Sequence, residues 1–254
     1  MGVLSGKVAA VTGASSGSGR AIATRFAEEG ASVYLLAREP KRLDELVASL
    51  PGDVQAVPCD VGDSESVAAA FARIGERHDK LHILVNNAAV YRPCPVEHLS
   101  DADIQQQLST NLVGPVLTCR AAIPLLRAAE GADIVNTSSE STLHPFPMLS
   151  MYVATKAGLE AFSQVLAAEL QDDDIRVTTL VQGVSIGPGG GSTDWQWDPE
   201  RTSEAVNLWV ERGLMATAGG RYGGQAVSDV AEAHVFIVTR PRTQKIDRIH
   251  VRSF

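Results

Sequence analysis

From Val8 to Val181 the chain alternates short, wholly apolar runs with longer amphipathic stretches, and this rhythm narrows the fold more than any other feature. Val8 to Thr12 is a β-rich run closed by Gly13, and Arg20 to Glu29 follows with helical spacing until Gly30 stops it. The cycle then repeats: Val33 to Ala37 with Lys41 to Leu50, Val54 to Pro58 with Ser64 to Arg77, and Leu81 to Asn86 with Asp101 to Arg127. Ile134 to Thr137 precedes Tyr152 to Leu170, Val177 to Val181 is the next apolar run, Ser228 to Thr239 reads as a helix, and Ile246 to Val251 reads as a last strand. Strands without polar alternation are buried on both faces, and right-handed crossovers place helices there. The pattern therefore predicts an α/β fold: a doubly wound, Rossmann-type parallel sheet of about seven strands, forming one domain over residues 1–254.

The rhythm breaks between residues 183 and 224, where glycines cluster around one helical pattern from Thr202 to Gly213. A long irregular stretch in a compact domain is commonly a functional cover. All three tryptophans, Trp195, Trp197 and Trp209, fall in it, and Trp195 and Trp197 are candidates to cover an apolar substrate or to pack the segment on its own core.

Charge and cysteine content exclude several functions. The net charge of −8 contains no basic run, which disfavours nucleic acid and anionic membrane surfaces as partners. Cys59, Cys94 and Cys119 are far apart and in no CxxC pair, as expected of reduced thiols in a cytoplasmic protein. No apolar run suits a transmembrane helix, and the N-terminus lacks a signal-peptide pattern. His78 and His82 are four apart, but His82 begins a strand, so no metal site is expected.

The first strand runs into Thr12-Gly13-Ala14-Ser15-Ser16-Gly17-Ser18-Gly19. Glycines let the backbone approach a pyrophosphate, and the N–H groups of the following helix point at the anion. In a doubly wound sheet this first turn is where dinucleotides bind. At the end of the second strand, an acid would hold the ribose 2′-hydroxyl of NAD and repel the extra phosphate of NADP. Ala37 and Arg38 stand there, with Lys41 and Arg42 nearby, which favours NADP over NAD.

Ser138-Ser139 closes the fifth strand, and Tyr152 and Lys156 lie at i and i+4 on one helix face. A tyrosine serves as a general acid or base when its pKa moves down from about 10. A three-unit shift is roughly 4 kcal/mol, comparable with one cation about 4 Å away at a dielectric of about 20. Lys156 is placed to supply it.

Taken together, these residues make the chain resemble the single-domain branch of the short-chain dehydrogenase/reductase superfamily, from about Lys7 to the final strand. The matching positions are the TGxxxGxG loop, Asp60-Val61, Asn86-Asn87-Ala88-Ala89, Asn111, Ser139 and Tyr152-x-x-x-Lys156. The resemblance implies that Tyr152 exchanges a proton with the substrate oxygen and that Ser139 hydrogen-bonds that oxygen. It implies that Lys156 binds the nicotinamide ribose and lowers the tyrosine pKa, and that Asn111 holds a water relaying protons to Lys156. It also implies a cofactor site made of Gly13, Ser15, Ser16, Gly17, Ser18, Gly19, Arg38, Asp60, Val61, Asn87, Ala88, Tyr152, Lys156 and Gly183. Asn111 is a poor helix former inside an otherwise good helix, so a local kink is expected there. The chain departs from the family pattern at Ser18, where an aliphatic residue is common, at Ala89 in place of Gly, at Gln182 in place of Pro before Gly183, and in its tail.

The expected activity is interconversion of a carbonyl and a secondary alcohol, with NADPH-linked reduction favoured; a catalytically silent NADP-binding regulator is the alternative. The segments Leu143 to Met148 and Tyr91 to Pro95 are expected to wall the substrate, and His144 and Arg92 are candidates to hold a substrate carboxylate. The resemblance further implies a homodimer or homotetramer formed through the helices over Asp101 to Arg127 and Tyr152 to Leu170.

Overall fold

The computed structural model describes residues 2–144, 146–186, 198–214, 217–218, 221–222 and 224–253. Seven parallel strands form one sheet: β1 (Val8–Thr12), β2 (Ser32–Ala37), β3 (Val54–Pro58), β4 (Ile83–Asn86), β5 (Ala132–Ser139), β6 (Ile175–Gln182) and β7 (Arg248–Val251). Their spatial order is β7-β6-β5-β4-β1-β2-β3, and the sheet is the doubly wound parallel sheet of seven strands that the alternation predicts. The helices are α1 (Gly17–Glu28), α2 (Pro40–Ser49), α3 (Ser64–Arg77), α4 (Asp101–Leu108), α5 (Gly114–Arg127), α6 (Ser150–Glu169), α7 (Pro199–Glu211) and α8 (Val227–Val238).

Successive strand residues feed opposite cores. Val8 and Ala10 of β1 pack with Phe71 and Ile74 of α3, Leu126 of α5 and Leu166 of α6. Ala9 and Val11 pack on the other face with Ile22 and Phe26 of α1, Leu43 of α2 and Val235 of α8. Each fully buried Ile, Leu or Phe contributes about 1.5–3 kcal/mol, and a one-residue slip of β1 would exchange its two sets of partners. The register is thereby fixed, and with it the level at which every strand ends.

Two departures from the sequence pattern matter to the site. The long helix expected over Asp101 to Arg127 is broken by a π turn, Ser109–Val113, that carries Asn111. This is the irregularity its asparagine predicts, realised as a widened turn. In the segment expected to cover the site, residues 187–197, including Trp195 and Trp197, lie outside the described residues. The described part includes α7, capped by the Asp198 carboxylate, which accepts from the Glu200 and Arg201 amides. No helix among the described residues is long and apolar enough to cross a membrane.

Candidate active site

Strand order reverses where β1 lies between β2 and β4, and a crevice opens at the carboxyl ends of such strands. Here the crevice is a cavity of about 960 Å³ that runs from the end of β2 to the start of α6. That volume falls at the upper end of the range for small-molecule and cofactor sites.

Thr12, buried at the end of β1, fastens the crevice floor. Its hydroxyl donates to the Val85 carbonyl at 3.2 Å and accepts from the Asn87 and Ala88 amides at 3.0 and 3.1 Å. Asn87 returns a bond through Nδ2 to the Thr12 carbonyl. The glycine loop that follows turns at Gly13, where φ is +68° and an added Cβ would stand 2.9 Å from the Ala88 Cα, so there is no room for a side chain. Gly13, Ser15, Ser16, Gly17 and Ser18 all line the cavity. Gly19 does not. It is buried behind the loop, where an added Cβ would stand 2.2 Å from the Gly13 carbonyl oxygen, so it sets how closely α1 packs rather than facing the cavity.

Arg38, Asp60, Val61, Asn87, Ala88 and Gly183 are also on the wall. The local positive patch is smaller than the sequence suggests. Arg42 is held by Glu39 at 2.7 Å, and Glu39 itself lines the cavity beside Arg38. Asp60 accepts from the Gly62 amide while its own amide donates to the Ser66 hydroxyl, which fixes the turn after β3.

At the other end, β5 and α6 bring Ser139, Tyr152 and Lys156 to the cavity wall. A buried polar ladder holds these strands level. Asn86 donates to Asn136 at 2.9 Å, Asn136 donates to Ser163 at 2.8 Å, and Thr118 donates to Asn86 at 2.6 Å. The Ser139 hydroxyl oxygen accepts from the Ser141 hydroxyl at 3.0 Å and from the Ser141 amide at 3.3 Å. Its own proton is thus left to donate. Lys156, 2% exposed, donates from Nζ to the Thr137 carbonyl at 2.6 Å and stands 5.8 Å from the centre of the Tyr152 ring.

The tyrosine pKa differs from the sequence expectation. Burial pushes the Tyr152 hydroxyl up to about 12, while a hydrogen bond with Ser139 pulls it back down. Burial also lowers Lys156 to about 8, opposed by the Glu160 carboxylate one helical turn away. For Tyr152 burial is the largest influence, and the hydrogen bond with Ser139 is what opposes it. Among the protein's own groups, desolvation therefore outweighs the lysine.

Asn111 is not on the wall. Fully buried, it accepts from the Val90 amide and donates to the Val90 carbonyl, both at 2.7 Å, and donates to Thr155 at 3.2 Å. Thr155 in turn donates to the Tyr152 carbonyl. The asparagine side chain is spent on tying the Val90 segment to the first turn of α6.

Several wall residues carry no local sequence signal. Gln182 donates to Ser18 at 3.1 Å and to Ser185 at 2.8 Å, so two positions that depart from the family pattern meet across the cleft. Trp209 of α7, rather than Trp195 or Trp197, is the described tryptophan on the wall, with Phe146 and Leu149 beside it. Of the two carboxylate candidates, His144 is exposed and away from the cavity. Arg92 is on the wall but engaged by Asp103 at 2.7 Å and Gln106 at 2.9 Å. His82 uses Nδ1 to accept the Val8 amide, a packing role.

Comparison with known proteins places these features in context. The profile of the family described as short chain dehydrogenase matches residues 7–199. D-threitol dehydrogenase of Mycolicibacterium smegmatis is 37% identical over 216 residues, covering 84% of this chain and 82% of that protein. Sulfoacetaldehyde reductase of Chromohalobacter salexigens is 33% identical, covering 95% of this chain and 91% of its own. A metagenomic short-chain oxidoreductase solved in complex with NADP superposes with a TM-score of 0.78 at 28% identity, covering 99% of both chains.

Proposed function

The chain belongs to the short-chain dehydrogenase/reductase superfamily, and from that premise we propose that it interconverts a ketone and a secondary alcohol, with NADPH-linked reduction as the favoured direction. The observation that carries the reading is the convergence of the Ser139 and Tyr152 hydroxyls and the Lys156 ammonium on one wall of a dinucleotide-sized cavity.

The residues fit a nicotinamide dinucleotide. The positive-φ glycine turn at Gly13 and Gly17 leads into the N-terminus of α1, where free amides suit a pyrophosphate. Arg38 suits a 2′-phosphate, since Glu39 is neutralised by Arg42. Asp60 and Val61 line the adenine end, and Asn87, Ala88 and Gly183 line the way to Tyr152. When bound, the reduced cofactor supplies the hydride that reaches the carbonyl carbon.

The chain's own groups handle the oxygen. Ser139 donates its remaining proton to the carbonyl oxygen and orients it toward Tyr152. Tyr152, kept protonated by burial, gives its hydroxyl proton to that oxygen as negative charge develops on it. Lys156, fixed by the Thr137 carbonyl, stabilises the tyrosinate that remains. Asn111 acts here by seating α6 through Val90 and Thr155. In this reading the protein is a homodimer or homotetramer assembled through the helices over Asp101 to Arg127 and Tyr152 to Leu170, which expose Val113 on the π turn, Val116 on α5 and Val165 on α6. A cytoplasmic setting accords with its three unpaired, buried thiols.

Steady-state assays with a panel of ketones test the proposal. NADPH is expected to exceed NADH by about tenfold or more in kcat/KM, the worth of one charge-assisted contact to the 2′-phosphate. Cofactor binding without turnover of any ketone or secondary alcohol would favour the silent regulator instead.

A further inference from the structure

Resting on that reading, we infer that the substrate is an uncharged ketone or secondary alcohol carrying a ring beside the reacting carbon. One side of the cavity beside Tyr152 is apolar and aromatic. Phe146, Leu149 and Trp209 form a buried cluster against which Tyr91 and Tyr152 pack. Phe146 and Trp209 meet edge to face at 5.6 Å, and Tyr91 and Tyr152 are tilted at 5.5 Å. The Trp209 indole N–H is already donated to the Pro147 carbonyl at 2.8 Å, so what it offers a ligand is carbon surface.

The charges on the same wall argue against an anion. Three cationic side chains line the cavity among the described residues: Arg38, Arg92 and Lys156. Arg38 is at the end of β2, three strands from β5 and so about 14 Å away. Arg92 is matched by Asp103 and Gln106, and Lys156 is turned to the Thr137 carbonyl beneath the tyrosine. Behind Ser138 the Glu160 carboxylate is paired with Arg248, and among the described residues the remaining charge lining the cavity near Ser139 is the Glu140 carboxylate, which accepts from the Val184 amide at 2.9 Å. Its nearest basic neighbour, His250 at 3.9 Å, is held toward its neutral form by burial. A substrate carboxylate, sulfonate or phosphate would enter beside an existing negative charge, where the cations among the described residues of that wall are already engaged.

The test compares acetophenone, its para-carboxylate and butanone as substrates of the full chain with NADPH. Acetophenone is expected to exceed the carboxylate by about 100-fold in kcat/KM, the scale of an uncompensated like-charge contact, and butanone by about tenfold. Trp209→Phe and Phe146→Leu, two variants so that misfolding of one leaves the other, are expected to raise the KM for acetophenone severalfold more than that for butanone. A carboxylate or butanone reduced as efficiently as acetophenone overturns the substrate class while leaving ketone reduction standing. Failure of all three substrates, and of the matching alcohols with NADP, instead overturns the reading on which the inference rests.

Discussion

Replacing Glu160 with glutamine isolates the electrostatic part of the site. Glu160 lies one helical turn beyond Lys156 and accepts through Oε1 from Ser138 at 2.6 Å and Thr142 at 2.7 Å, while Oε2 pairs with Arg248 of β7 at 3.1 Å. The amide oxygen of glutamine can still accept both hydroxyls, so the turn after β5 keeps its anchor. The charge is lost, and with it the ion pair to Arg248. Side chains at i and i+4 stand about 6 Å apart, which at an effective dielectric of about 20 is about 3 kcal/mol, or roughly two pKa units. Arg248 is present in wild type and variant alike and cancels from the difference, leaving a fall of about two units for Lys156, from its present value near 8. The ammonium is lost as pH rises through the pKa, so the high-pH limb of kcat moves toward lower pH by about two units in Glu160→Gln. That limb reports the tyrosine and lysine together, and the comparison of variant with wild type is the quantity of interest. The assay is kcat against pH at saturating ketone and cofactor, with thermal melting alongside. An unmoved limb with a lowered melting temperature would refute the argument and leave Glu160 a purely structural tie.

Three further outcomes follow from other parts of the cavity and the core. Arg38→Ala removes the cation at the end of β2 and is expected to weaken NADPH binding by about 10- to 100-fold in a fluorescence titration, with NADH unchanged. Gly19→Ala forces a methyl group against the Gly13 carbonyl at 2.2 Å, so unfolding in urea should show a loss of about 1–3 kcal/mol, together with weaker cofactor binding. His82 and His234 are buried, and burial lowers each to about 4. Their neutral forms contribute full stability above about pH 6.5, lost as pH falls toward 4, at a limit of about 3 kcal/mol each. Urea unfolding should therefore weaken steadily between pH 6.5 and 4, with a shallower slope in His82→Gln; an identical slope would contradict the assignment.

What the sequence made legible is what local physics controls. β1 begins and ends where its apolar run does, because burial on both sheet faces demands apolar sequence, and the bounds of the edge strand β3 also match its run although Gln55 interrupts it. Tyr152 and Lys156 share a face because helical spacing puts them there, and Asn111 marks a break in its helix because asparagine competes with the helical bonds. The chain hides what depends on distant partners. Gln182 meets Ser18 across 164 positions, and Ser138 meets Glu160 across 22, without a local pattern to announce either bond. Trp209 reaches the wall through the docking of α7 on Phe146, a tertiary event that no local pattern announces. The pairing of Arg42 with Glu39 is different, since i,i+3 spacing is local and would have reduced the expected positive patch. The tyrosine pKa was misjudged because sequence reveals a neighbouring cation but not how far both groups are taken from water.

Tyr152→Phe tests the central claim most directly, because it deletes one hydroxyl oxygen from the wall and leaves the ring in its place against Tyr91. The measurement is NADPH binding by titration together with ketone-dependent loss of nicotinamide absorbance, on the same preparation. Binding equal to wild type with turnover reduced by about 10²- to 10⁴-fold is the predicted result, the usual worth of a positioned general acid. Turnover retained at the wild-type rate would contradict the account.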